Sequence, residues 1–131
     1  MSRRELREQI FKLLFRVEFN SPEDMPEQEA LFFAQEDAAQ GEDADHISDK
    51  FNRISQRIPE LDSLLNEKAE GWNTARMGKV DLTILRLAVY EIRYDDSVPT
   101  SVAINEAVEL AKKFGQEASS GFVNGILAKF A

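Results

Sequence analysis

The sequence predicts an all-α fold of about seven helices, and three observations carry that reading. Apolar residues recur at helical spacing along most of the 131 residues. No stretch shows sustained period-two alternation of strand-forming residues, so a sheet is not expected. The four prolines stand at the edges of the periodic segments, where they interrupt nothing.

In chain order, residues 3–18 form the first helical pattern, ended by the turn signal Asn20, Ser21 and Pro22. A second helix starts near Pro26 and runs through Leu31 and Phe33 to about Asp37. Residues 38–45, AAQGEDAD, read as an acidic connector to a third helix from about Ile47 to Arg57. Pro59 opens a fourth with Leu61, Leu64 and Leu65 as its apolar side, and Gly71 ends it. Residues 72–78 are a link in which Trp72, beside a glycine turn, reads as a cap on the core. From Val80 to Tyr94 the run VDLTILRLAVYEIRY is apolar on most sides, which predicts a central buried helix with Asp81 as N-cap or first-turn acid. Pro99 separates it from a helix that Thr100 or Ser101 caps and Gly115 stops in a left-handed conformation. Glu109 and Lys113 make a favourable pair on its polar side. Ser119 or Ser120 caps a last helix carrying Phe122, Val123, Ile126, Leu127 and Phe130.

A chain this long, 43% hydrophobic, can bury one core or two small ones that share an interface. No 18-residue apolar run is available to span a membrane, and the N-terminal arginines precede no apolar targeting segment. The absence of cysteine excludes disulfides, thiol nucleophiles and thiolate metal sites, and fits a reducing cytoplasm. A net charge of −8 argues against indiscriminate nucleic-acid binding. Any such site has to be a local patch, and the charge is in fact local. Residues 1–16 carry a net +3, residues 17–49 a net −11 with no base, and residues 50–131 cancel.

The first helix presents two surfaces. Leu6, Ile10, Leu13, Leu14 and Val17 form a core stripe within about a third of the circumference. Arg4, Phe11 and Phe15 form a second line at spacings of seven and four residues, with Arg7 and Glu8 flanking it. Guanidinium groups beside rings suit single-stranded RNA, because arginine holds phosphate by paired hydrogen bonds while a ring supports an unstacked base. The same pattern also fits a helix touched from two sides, with both rings in the core and the arginines solvating its end.

Other constellations are weaker. Asp43, Asp45, His46 and Asp49 resemble an oxygen-and-imidazole ion site but lack the glycine and terminal glutamate of a calcium loop, and acids collect at helix starts without any metal. His46 is the one histidine, Gly71, Gly78 and Gly115 lack phosphate-loop spacing, and Glu106 and Glu109 read as solvated charges, so neither catalytic residues nor a cofactor are expected.

The C-terminal half carries a more specific pattern. ILRLAVYEI at 84–92 is followed by Val98 and Pro99, then VAINEAVELAKKFG at 102–115 and FVNGIL at 122–127. This ordered set, with the arginine-rich first helix, resembles the NusB family, strongly from about Lys79 to Phe130 and loosely over 20–75. The resemblance implies one NusB-like domain over 1–131, made of two packed helical subdomains at about 1–75 and 76–131, and no catalysis. It implies a transcription antitermination factor that pairs with NusE, a protein of the small ribosomal subunit. The heterodimer of that family binds boxA, a single-stranded element of nascent RNA, and supports read-through by RNA polymerase with NusA and NusG, notably in ribosomal RNA operons.

By position, Arg3, Arg4, Arg7, Phe15 and Phe122 match the family's RNA-contacting residues, with Lys113 and Phe114 beside them. Asp81 and Arg86 match charged positions facing NusE, and the helical wheel puts Arg86 in a narrow polar sector open to a partner. Ala118 stands where some relatives carry an acid near the RNA. Two other readings are a purely protein-binding adaptor or homodimer and an RNA methyltransferase, since NusB-like modules also occur ahead of such domains. The methyltransferase lacks room for a cofactor domain and a glycine-rich loop after a strand. The wide apolar surface of the central helix can be satisfied within the chain or across a two-fold interface, so monomer and homodimer both stay open.

Overall fold

The structure is a computed structural model that describes residues 1–131. It contains α1 (Arg3–Phe15), α2 (Met25–Phe33), α3 (Gly41–Ser55), α4 (Ile58–Lys68), α5 (Lys79–Tyr94), α6 (Thr100–Phe114) and α7 (Ser119–Leu127). Three short 3-10 turns, Arg16–Phe19, Thr74–Arg76 and Ala128–Phe130, complete the regular structure, and no strand is present. The chain divides into two compact units, Met1–Ser55 and Gln56–Ala131.

In the first unit α1 packs on α3. Ile10, Phe11, Leu13 and Leu14 of α1 and Ile47, Phe51 and Ile54 of α3 are all buried, each side chain contributing about 1.5–3 kcal/mol by leaving water. A capping box starts α1. The Glu5 N–H donates to Ser2 Oγ at 3.1 Å, and the Ser2 N–H donates back to Glu5 Oε1 at 2.9 Å. Three boundaries differ from expectation. Helix α1 gives way to 3-10 geometry at Arg16. Helix α2 stops at Phe33, short of Glu36 and Asp37, whose charges would oppose the negative end of a longer helix. The acidic connector is half helix: Gly41, at φ +59, opens α3, and Glu42 and Asp43 fill its first turn, where the dipole favours them.

In the second unit α5 is the central element, packed against α4, α6 and α7. Every residue from Leu82 to Glu91 is buried, as its all-round apolar pattern requires. The polar side chains inside are satisfied: the Thr83 hydroxyl donates to the Lys79 carbonyl at 2.8 Å, and no buried side-chain polar atom lacks a partner. Gly115 does not turn left-handed, since its backbone is extended at φ −91 and ψ −170. It is needed for space instead. A Cβ there would stand 2.6 Å from the Ser119 Cβ and 2.7 Å from the Ala111 carbonyl oxygen. Neither Thr100 nor Ser101 caps α6; Pro99 holds the N-cap position without a side-chain bond. Ser119 does not cap α7 either, because its Oγ accepts from the Gln116 N–H at 2.9 Å and closes the turn before that helix.

Candidate nucleic-acid interface

The first unit carries the basic group. The capping box starts α1 at Arg3, which puts Arg3 and Arg4 exposed in its first turn and Arg7 half-buried one turn on. Cations at a helix N-terminus oppose the macrodipole, so helix stability does not explain them. The end is held in spite of them, by the capping box and by the Met1 ammonium, 3.0 Å from Asp43 of α3. The bond from the Ser2 backbone, with the Ser2 hydroxyl behind it, keeps the Glu5 carboxyl below its usual range.

The ring stripe separates into core and surface. Phe11, on one line with Arg4, is buried and belongs to the core. Phe15 is half-buried and sits mid-ladder, stacked on Phe11 at 6.0 Å between centroids and edge-on to Phe19 at 5.0 Å. Phe19 is 60% exposed. Sequence reasoning missed it because it lies past the helix; its four-residue offset from Phe15 was the available signal. Arg16 serves the fold, its guanidinium 5.2 Å from the Phe32 ring centroid and donating to the Gln28 carbonyl at 3.2 Å.

The second unit carries the remaining residues that the sequence singles out. Lys113 and Phe114 end α6, with the ammonium 5.5 Å from the ring centroid. Phe122 of α7 is half-buried and meets Trp72 edge-on at 5.2 Å, with 73° between the planes. Trp72 is no core cap, since half its surface is exposed. The two rings wall a cleft of about 490 Å³ that Phe114, Lys79, Asp81 and Ser119 also line. Ala118 adds only a methyl group to it.

Asp81 is half-buried in the first turn of α5. Arg86 is not open in the way the helical wheel suggests. It is buried, and its Nε and Nη2 donate to the two carboxylate oxygens of Asp62 on α4, each at 2.8 Å. Helix α4 covers Arg86 through Asp62, a fact of packing invisible to a single helix. Two of the acids near His46 are engaged in ion pairs, Asp43 with the Met1 ammonium and Asp49 with Arg53 at 2.9 Å, and no group of three or more potential ligands is placed to hold a metal. No helix is long and apolar enough to cross a membrane.

These features define an all-helical protein that presents cations and rings rather than a cluster of reactive groups. The NusB family profile matches residues 4–131, and the chain belongs to that family. A transcription antitermination protein NusB from Agathobacter rectalis is 51% identical over 131 residues, covering all of both chains. Among solved structures, T. maritima NusB is 34% identical with a TM-score of 0.86, over 100% of this chain and 91% of that one. A chain from a crystal structure of the antitermination factors NusB and NusE in complex with dsRNA has a TM-score of 0.78 over 98% of this chain and 94% of that one. It is 24% identical, and the likeness speaks to the fold.

Proposed function

We propose that this chain is a cytoplasmic, non-catalytic transcription antitermination factor. In this reading it pairs with NusE, binds the boxA element of nascent RNA as the heterodimer, and supports read-through by RNA polymerase with NusA and NusG in ribosomal RNA operons. The observation that carries the reading is family membership over residues 4–131, at 51% identity to a chain named for antitermination.

The local chemistry supports it. Arg3, Arg4 and Arg7 offer bidentate donors to phosphate, and Phe15 and Phe122 offer ring surface to bases. Lys113 adds a cation beside Phe114. Asp81 faces NusE, and Arg86 acts through Asp62, holding α4 against α5 behind that surface. A net charge of −8 weakens binding by the chain alone, so a basic partner strengthens it.

The test is a titration of boxA RNA against the chain with and without NusE, over a range of salt. Tighter binding with NusE and weakening with salt are expected. RNA affinity that NusE leaves unchanged, or that salt does not touch, would remove the reading.

A further inference from the structure

The chain's one tryptophan is held out of the core by the loop that carries it. Gly71 turns the backbone at φ +78, and the Trp72 N–H donates to the Ala69 carbonyl at 2.9 Å. Beyond it the Thr74 N–H donates to Asn66 Oδ1 at 2.8 Å and the Arg76 N–H to Asn73 Oδ1 at 3.2 Å. The loop is thus tied on both sides of an indole that remains 50% exposed. A tryptophan serving only stability does better inside, where its large apolar area leaves water.

From this geometry we infer that Trp72 and Phe122 form a stacking corner for one unpaired RNA base, which makes Trp72 an RNA-contacting residue. The inference rests on the functional reading above and deepens it. With 73° between the ring planes, a flat base laid on one face turns its edge to the other ring. The cleft of about 490 Å³ behind them has room for such a base. Its polar lining is mixed. Lys79 supplies a cation, Lys113 stands over the Phe114 ring of the same lining, and Asp81 supplies an acceptor. The carboxylate, which the functional reading turns toward NusE, would repel a phosphate, so the phosphates flanking the base lie on the side of the lysines. Rings with adjacent cations are the chemistry by which single strands are held.

Because Trp72 is the sole tryptophan, its emission reports on the corner directly. A preformed heterodimer with tryptophan-free NusE is titrated with single-stranded boxA RNA. Emission should be quenched in step with binding. Trp72→Ala and Phe122→Ala should each weaken binding about tenfold, the size of one lost base stack, while Trp72→Phe retains most of it. Circular dichroism checks that the variants fold, and the emission readout needs no variant. An RNA series with one base removed at a time adds an independent measure. One position should cost the unsubstituted protein affinity and cost Trp72→Ala nothing. RNA that binds without changing emission, with equal losses in both proteins along the series, overturns the corner alone. So does quenching by NusE with none added by RNA, which assigns the cleft to the protein partner. Absence of RNA binding under every condition removes the functional reading and the corner together.

Discussion

A guanidinium inside a helical packing needs its charge answered on the spot, and Asp62 answers Arg86 with both oxygens. Removing one partner of such a pair leaves the other charge uncompensated. Asp62→Ala should therefore cost about 3 kcal/mol in chemical denaturation. Asp62→Leu combined with Arg86→Met should recover most of that loss, because apolar replacement removes both charges together. The arginines of α1 behave differently, because they stand at the surface. Arg4→Glu with Arg7→Glu should leave helix content unchanged by circular dichroism and lower RNA affinity of the heterodimer. The slope of log affinity against log salt should flatten by about 0.7 for each phosphate of the single strand that the variant no longer neutralises. Intact binding by a folded double variant would make those arginines structural.

At the scale of the element, the start of α1 is tuned by Glu5. Its carboxyl lies below its usual range because its charged form accepts from the Ser2 backbone. That contribution is full above the carboxyl's unfolded-state pKa and is lost as pH falls through the lower folded value. Acidification should thus fray the first turn of α1 before the rest of the helix, visible as a loss of amide protection at Ser2 and Glu5 relative to the intrinsic exchange rate at each pH. Ser2→Ala should fray that turn already at neutral pH. The α6–α7 corner is set by contact instead. Gly115→Ala places a methyl group 2.6 Å from Ser119 and 2.7 Å from the Ala111 backbone, and should lower stability by about 1–3 kcal/mol. Removing the Ser119 side chain as well relieves only the first of these clashes, so that double variant should remain less stable than the unsubstituted chain.

At the scale of the whole molecule, the uneven charge along the chain ties affinity to a partner. Residues 1–16 are basic within an acidic protein, so a basic partner should raise RNA affinity most at low salt, where the repulsive field reaches furthest. Much of the architecture was legible in the residues. The burial of α5 follows from apolar side chains on every face, and the helix count from periodicity broken at Pro22, Pro59 and Pro99. The site was legible only in part. Spacing set Phe11 and Phe15 on one line, but α3 packs on α1 and the two rings end at different depths. Trp72 read as a cap because a glycine turn gives no direction to the side chain that follows it. Arg86 read as available because its own helix leaves it a polar gap, which Asp62 of α4 fills. By itself, then, the sequence determined the all-helical class, the central helix, the local placement of charge and the NusB kinship. All of these depend on neighbours along the chain or on the order of its residues. Tertiary structure alone decided which cations and rings stay at the surface, because burial is a contact with residues far away in sequence.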